Sequence, residues 1–223
     1  EIHERLVGSE MCIRDSLCDD PFLALAINLA FACSLRMGEL LGLTWSCVDI
    51  SQDSIDHDCA YIYIDKELQR ISRESLAQIG EKGIMFKFPT MRGCNSTVLA
   101  LKEPKTKTSV RKVFLPRAVA EMLVERRKTI EELKELLGDE YRDYDLVFAS
   151  TQGTPTEANY INRAFDKLIT ENNLPKVVFH SLRHTSTTYK LKLSGGDIKA
   201  VQGDTGHAQA TICLLYTSPS PRD

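Results

Sequence analysis

The sequence predicts a mostly α-helical domain with a small antiparallel β-sheet, which is an α+β fold. Its longest patterned segments place apolar residues three and four positions apart, as on one face of a helix. Shorter segments between residues 61 and 115 alternate in polarity and are rich in β-branched and aromatic residues, which favours strands. A chain of 223 residues with 43% hydrophobic composition is long enough to bury one such core.

The first predicted helix has a clear start signal. Asp19 or Asp20 can serve as its N-cap and Pro21 suits the first turn, so we expect the helix to run through Cys33. The other elements predicted in this half are a helical piece at 36–43, a strand at 61–65 and a helical or irregular segment at 68–80.

The second half is predicted to contain a hairpin followed by several helices. Segments 98–101 and 111–115 are expected to pair as two strands around a long basic turn. Pro116 begins a long amphipathic helix, which Gly138 ends. The remaining predicted elements are an extended piece at 146–149 and helices at 156–172, 180–193 and 197–203.

The two ends of the chain differ in pattern from the rest. Residues 1–16 show no clear periodicity, and we expect them to be a non-native or disordered leader. Residues 213–223 end in a run rich in serine and proline that cannot continue a helix, and we expect a non-native or truncated tail. The predicted domain therefore spans residues 17–212.

The formal net charge of −3 hides a local basic cluster. Residues 102–112 contain five lysines and arginines and a single acid, Glu103. Because binding to nucleic acid depends on the local field rather than on net charge, an acidic average does not exclude it. The residues predicted to contact DNA here are Lys102, Lys107, Arg111 and Lys112.

The cysteines indicate a reducing environment. There are seven, an odd number, and no C-x-x-C pair is present, which argues against a disulfide framework. No apolar run reaches membrane-spanning length. We therefore expect a cytoplasmic protein without a membrane partner.

Two segments carry side chains that suit chemistry on a phosphodiester. His180 and Arg183 lie three positions apart on a predicted helix, so they share one face. Arg36 lies in a helical segment far upstream. Arginine binds two phosphate oxygens with its planar fork and stays charged, and histidine or lysine can move the proton that a leaving oxygen needs. This combination predicts phosphoryl transfer without a metal.

Four segments, in this order, are similar to the motifs of tyrosine recombinases, the phage integrase family. The segment SLRMGELLGLTW at 34–45 resembles the family's first arginine box, and PKTK at 104–107 resembles its β-hairpin lysine. HSLRH at 180–184 resembles the second box, and TGH at 205–207 resembles the later histidine. One such segment would be weak support, whereas four in the right order are specific.

The resemblance covers residues 17–212 and implies a function. Family members break and rejoin double-stranded DNA without a cofactor, act as homo-tetramers on two DNA sites, and usually carry DNA-binding domains ahead of the catalytic domain. The long insert between residues 61 and 105 resembles that of integrases of conjugative transposons and related mobile elements. The resemblance thus implies integration or excision of such an element.

The resemblance also implies a role for individual residues. Arg36 and Arg183 would clamp the scissile phosphate, and His207 would donate a hydrogen bond to one of its oxygens. Separately from the resemblance, the position of Glu39 three residues after Arg36 predicts that it orients an arginine, although the two could also only pair on their helix. The chemistry of these residue types agrees with those roles, because guanidinium groups bind phosphate in two-point fashion.

The proton transfers would involve a lysine and a histidine. Lys105 would protonate the leaving 5′ oxygen, and Lys107 is its close competitor, since both lie shortly before Arg111. His180 would assist proton transfer at the nucleophile. That nucleophile would be a tyrosine, which forms a 3′-phosphotyrosyl link with the cleaved strand.

Tyr216 has the spacing that the resemblance requires of this tyrosine, since it follows His207 by nine positions. Its surroundings depart from the family pattern, because Cys-Leu-Leu precedes it and Thr-Ser-Pro-Ser-Pro follows it. Two interpretations stay open: Tyr216 is the nucleophile, or it matches by spacing alone.

Two other functions stay open at this stage. One is an inactive, truncated relative that only binds DNA, and the other is a type IB topoisomerase-like enzyme that relaxes DNA with the same chemistry. A metal-dependent nuclease is disfavoured, because the sequence has no carboxylate cluster with ligand spacing.

Overall fold

A central buried helix, α1 (Pro21–Ala32), organises the fold in the computed structural model, which describes residues 18–89, 96–106, 109–195, 197, 199 and 201. The carboxylate of Asp20 accepts a hydrogen bond from the Phe22 amide at 2.9 Å and caps the helix, as predicted. Its residues are buried almost all the way around. A helix with apolar residues on every side must be surrounded by other elements.

Other helices surround α1. Four of them pack directly on it, namely those that begin at Met37, Arg117, Ala158 and Ser181. Within the described ranges, no helix is both long enough and apolar enough to cross a membrane. The helices after α1 are α2 (Met37–Leu41), α3 (Gln52–Asp56), α4 (Arg73–Ile79), α5 (Arg117–Leu137), α6 (Ala158–Glu171) and α7 (Ser181–Leu193).

Two three-stranded antiparallel sheets flank the helices. One has the order β1-β2-β6, and the other has the order β3-β5-β4. The fold is thus mostly helical with small antiparallel sheets, which confirms the predicted fold class. The strands are β1 (Val48–Asp49), β2 (Tyr61–Ile64), β3 (Glu67–Ser72), β4 (Ile84–Lys87), β5 (Thr97–Lys102) and β6 (Arg111–Phe114).

The predicted hairpin of the two strands around the basic turn is wrong. Both strands are present, but β5 pairs with β3 and β4, whereas β6 pairs with β2. Pairing with β2 lets β6 bury one face of its sheet, since Arg111 and Val113 of β6 and Ile62 and Ile64 of β2 are buried. The basic loop between β5 and β6 consequently connects two separate sheets.

The segment predicted as helical or irregular at 68–80 contains a strand and a helix. Its first part is β3, and α4 follows. Ser72 marks the change, because its hydroxyl accepts a hydrogen bond from the Ser75 amide at 3.0 Å and caps α4. Strand β4 was not predicted. The predicted helix at 197–203 lies mostly outside the described residues.

Strand β3 packs closely against α2 because two glycines leave room for it. A Cβ atom added to Gly42 would lie 2.7 Å from the Leu68 nitrogen and 2.9 Å from the Glu67 carbonyl carbon. A Cβ atom at Gly38 would lie 3.1 Å from the Leu68 oxygen. The sheet β3-β5-β4 is thereby seated on the segment that contains Arg36.

The close approach at Gly42 leads to a stability prediction. Gly42→Ala should lower the free energy of unfolding by ~1–3 kcal/mol, because the new methyl group meets main-chain atoms that cannot rotate away. Gly38→Ala is the matched control, and it should cost less because its nearest contact is longer. Urea unfolding of both variants would measure the difference, and equal losses would contradict the interpretation.

Candidate active site at the two arginine segments

The main chain and side chain of Arg36 are both held by Glu39. Arg36 is the N-cap of α2, and its amide donates to Glu39 Oε2 at 3.0 Å. Its Nη1 donates to Glu39 Oε1 at 2.7 Å. A carboxylate three residues into a helix commonly reaches back to the cap in this way. The Arg36 side chain remains 37% exposed, so its guanidinium can reach a ligand at the surface.

Glu39 also forms a buried ion pair with Arg111 of β6. Arg111 Nη1 lies 3.3 Å from Oε1, and Nη2 lies 3.0 Å from Oε2. Glu39 is 1% exposed and Arg111 is 7% exposed. Burial by itself would raise the pKa of Glu39, but the charge and hydrogen bonds of Arg111, with those of Arg36, hold that pKa below its ordinary value of 4.5. Glu39 is therefore ionised at neutral pH.

Arg183 of α7 is tied to the turn between α1 and α2. Its Nη1 donates to the main-chain oxygen of Ser34. Ser34 has a φ of 51°, which is costly for a residue with a side chain and turns this oxygen toward α7. The hydroxyl groups of Ser34 and Ser186 are 2.7 Å apart and both residues are fully buried. These contacts join the two arginine segments, which are far apart in sequence.

His180 lies beside both arginines. It is the N-cap residue of α7, and its ring is 4.6 Å from that of His184, centroid to centroid, with the two planes perpendicular. Burial, then the positive charge of Arg183 and then that of Arg36, lowers the pKa of His180 below its ordinary value of 6.5. Burial and the charges of His180 and Arg183 lower the pKa of His184 in the same way. Both rings are thus neutral at pH 7, and His180 can accept a proton.

Lys105 lies in the exposed loop between β5 and β6. The loop has internal hydrogen bonds next to this lysine, since the Ser109 amide donates to the Thr106 oxygen at 3.0 Å and the two hydroxyl groups are 2.9 Å apart. Arg111 Nη1 donates to the Ser109 oxygen at 3.0 Å. The guanidinium that pairs with Glu39 therefore also holds the end of the lysine loop.

The residues predicted to contact DNA are not all on the surface. Lys112 is exposed, with Nζ 3.5 Å from the centroid of the Tyr61 ring. Lys102 is half-buried and lies 3.6 Å from a carboxylate oxygen of Glu67. Arg111 points inward to Glu39, so the expectation that it forms part of an exposed basic surface is corrected. A buried guanidinium in a two-point ion pair is committed to the protein interior.

Three predicted residues, namely Lys107, His207 and Tyr216, lie outside the described residues. Within the described part, Arg36 lies beside Glu39, and the charges of Arg36 and Arg183 both act on His180. Among Arg36, Arg111, Arg183 and Glu39, three positive charges face one negative charge, so the cluster favours binding an anion such as a phosphate. No group of three or more metal-ligating His, Cys, Asp or Glu side chains is present in the described ranges.

Sequence reasoning missed the partnership of Arg111 with Glu39. The inward direction of Arg111 could have been predicted from the sequence, because side chains alternate between the two sides of a strand. Val113 and Leu115 are apolar and buried, at 1% and 6% exposure, and Arg111 shares their side of the chain. The role of Ser34 was not visible, since a left-handed serine leaves no pattern in the sequence.

Comparison with known proteins defines the class of protein to which this fold and site belong. The model of the phage integrase family matches residues 92–222, which is more than half of the chain. The chain therefore belongs to the phage integrase family, and the resemblance stated from its motifs is confirmed.

Individual relatives agree with this assignment. The chain is 30% identical over 198 residues to a tyrosine recombinase XerC-like protein of Caldanaerobacter subterraneus subsp. tengcongensis, with 87% of this chain and 45% of the relative covered. The integrase of transposon Tn1549, solved with circular intermediate DNA, is similar in fold with a TM-score of 0.67 at 21% identity, over 97% of this chain and 62% of that one.

A second solved structure gives the same fold. The XerH site-specific recombinase in a post-cleavage complex has a TM-score of 0.59 at 18% identity, and 97% of this chain and 47% of that chain are covered. The chain thus spans about half the length of the relatives that it matches.

Replacing Glu39 provides a test of the buried charge cluster. Glu39→Gln leaves two guanidiniums without their counter-charge and should lower the free energy of unfolding at pH 7 by ~3–5 kcal/mol. The folded-state pKa of Glu39 is below the unfolded value, so its contribution is fully present above pH ~4.5 and is lost as pH falls through the folded-state pKa. Urea unfolding between pH 7 and pH 3 should therefore show the two proteins converging in acid.

The control for this measurement is Glu125→Gln, which changes an exposed carboxylate that pairs with Lys128 on α5. It should alter stability little at any of these pH values. A difference between wild type and Glu39→Gln that stays constant from pH 7 to pH 3 would contradict the buried ion pair.

Proposed function

We propose that the chain is the catalytic part of a site-specific DNA recombinase that integrates or excises a mobile element. The observation that carries this proposal is the meeting of Arg36, Arg183 and His180, since the charges of both arginines act on the histidine. Membership of the phage integrase family and the folds of the Tn1549 integrase and XerH support it.

The scissile phosphate would bind between the two arginines. The Arg36 guanidinium is partly exposed. Arg183 is 3% exposed and is held by the Ser34 oxygen, so it would act on the phosphate from below the surface through its positive charge. Charge on the phosphate oxygens increases during phosphoryl transfer, and fixed guanidinium groups stabilise it without reorganising. His207 would add a further hydrogen bond to the phosphate.

The cleavage step would transfer the phosphate from the DNA strand to a tyrosine. The Tyr216 oxygen forms a bond to phosphorus while the bond from phosphorus to the 5′ oxygen breaks. The tyrosine proton passes to neutral His180, and Lys105 gives a proton to the 5′ oxygen. The phosphate remains a diester, so the 3′-phosphotyrosyl link keeps the energy needed for rejoining.

Rejoining would reverse these transfers on a different strand. The 5′ hydroxyl of the partner strand attacks phosphorus, Lys105 takes its proton, and the protonated His180 returns a proton to the departing tyrosine. Exchange between two duplexes requires several active sites, so we propose a homo-tetramer on two double-stranded DNA sites for the longer protein. The Tn1549 integrase was solved with circular intermediate DNA, which supports a DNA partner.

A covalent adduct would test the nucleophile. The protein is incubated with a pool of nicked duplexes of random core sequence, in which cleavage releases a short strand and prevents religation. We expect DNA that stays attached to the protein after denaturation, because the phosphotyrosyl bond is covalent, and we expect Tyr216→Phe to abolish it. Adduct formation is measured by denaturing gel electrophoresis.

The control in this experiment is Tyr160→Phe on α6, because Tyr160 is exposed and lies outside the four motif segments. An adduct that survives in Tyr216→Phe would show that another residue is the nucleophile. A wild-type protein that binds the pool but never forms an adduct would instead support the inactive DNA-binding alternative, and relaxation of supercoiled DNA without recombinant products would support the topoisomerase-like one.

Arg36→Ala should slow cleavage of a duplex selected from that pool by ~10²–10³, since it removes one donor that stabilises charge in the transition state. The fold should survive, because Glu39 keeps its pair with Arg111. Single-turnover rates of adduct formation measure the effect. Arg117→Ala removes an exposed arginine on α5 that pairs with Asp56, and it should cleave near the wild-type rate. Equal rates for both variants would refute the phosphate clamp.

A further inference from the structure

We propose that Arg111 is a positioning residue that sets the place of the Lys105 loop relative to Arg36. This inference rests on the proposed function, since it explains how the proton donor is brought to the phosphate clamp. Arg111 would act through its neighbours and need not touch the DNA.

The first step of the argument is the shared carboxylate. The Glu39 carboxylate accepts hydrogen bonds from the Arg36 amide at 3.0 Å and from Arg36 Nη1 at 2.7 Å. It also accepts hydrogen bonds from both terminal nitrogens of Arg111. With 1% exposure, the carboxylate has little freedom to turn. The position of the Arg111 guanidinium is therefore fixed relative to Arg36.

The second step links Arg111 to the loop. Arg111 Nη1, which contacts Glu39 Oε1, also donates a hydrogen bond to the Ser109 main-chain oxygen at 3.0 Å. Ser109 in turn bonds Thr106 through the main chain at 3.0 Å and through the hydroxyl groups at 2.9 Å. Thr106 directly follows Lys105, so a continuous set of contacts runs from Arg36 to the residue beside the lysine.

The third step is the topology of the loop. β5 pairs with β3 and β4, and β6 pairs with β2, so the loop that carries Lys105 is not the turn of a paired hairpin. In a hairpin, main-chain hydrogen bonds between the two flanking strands fix the turn. Here both flanking strands form these hydrogen bonds with other strands instead. The contacts of Arg111 with Ser109 and Glu39 consequently supply a restraint that strand pairing does not.

Arginine suits this position for a geometric reason. Its planar fork presents several N–H donors at once, so one guanidinium can satisfy both carboxylate oxygens and a main-chain oxygen. A lysine would keep the positive charge beside Glu39 but would offer one donor atom. Arg111→Lys therefore separates the charge of the residue from its positioning role.

The test compares two leaving groups. A duplex with sulfur in place of the 5′ oxygen at the scissile phosphate releases a thiol, which ionises near pH ~8.5, whereas an alcohol needs a proton from the enzyme. We expect Arg111→Lys to slow cleavage of the ordinary duplex by ~10², because small displacements of a catalytic group have effects of that size. The same variant should cleave the sulfur duplex close to the wild-type rate, as should Lys105→Ala.

The matched control is Val113→Ala in the same strand, because Val113 is 1% exposed and its apolar side chain forms no hydrogen bond to Glu39 or Ser109. It weakens β6 without touching the link, so it should affect the two duplexes equally. If Arg111→Lys also slows both duplexes by the same factor, its effect is merely structural and the positioning role is refuted.

A second measurement needs no catalysis. Under native conditions, trypsin should cut after Lys105 faster in Arg111→Lys than in Val113→Ala, because the loop has lost its restraint in the first variant. The two variants are compared under conditions that give them equal free energies of unfolding. Peptides ending at Lys105 are counted by mass spectrometry. Unchanged cutting in Arg111→Lys would overturn the inference.

A wild-type chain that cleaves neither duplex would refute the proposed activity of this chain and leave the loop measurement to decide the role of Arg111.

Discussion

The buried carboxylate of Glu39 is the contact on which the rest of the site depends. It lies between two guanidiniums that come from elements far apart in sequence, and it caps the helix that begins beside Arg36. Without this counter-charge the two guanidiniums would repel each other, and that of Arg111 would be buried without an ion-pair partner at Glu39, at a cost of several kcal/mol. One acid therefore allows arginines to be concentrated where a phosphate can bind, and it holds them in a single geometry.

The same concentration of charge determines the state of the neighbouring histidines. Burial and the positive charges of Arg183 and Arg36 keep the pKa of His180 low, so its ring is neutral when the site is empty. A bound phosphate would offset part of this positive charge and make protonation of the ring easier. His180 can therefore accept a proton more readily when a phosphate is bound. The proposed reaction would need a proton acceptor in that same state.

The two small sheets contribute different parts of the site. One sheet rests on α2 through the close approach at Gly42 and Gly38, and the other supplies Arg111 from its edge strand. The lysine loop crosses from one sheet to the other. The geometry of the site thus depends on how two independently paired sheets meet the same short helix, and the link from Arg111 to Glu39 and Ser109 lies where they meet.

The sequence by itself determined the helices with clear caps, the mostly helical fold class, the family, and the residues Arg36, Glu39, His180 and Arg183 as one candidate site. These follow from local signals: a capping aspartate before a proline, apolar spacing, and residue types at fixed offsets along a helix. The pairing of β5 and β6 with different sheets, the inward direction of Arg111 and the left-handed Ser34 were decided by the tertiary structure. Strand partners and buried ion pairs depend on residues distant in sequence, whose meeting is set by packing of the whole chain rather than by any local preference.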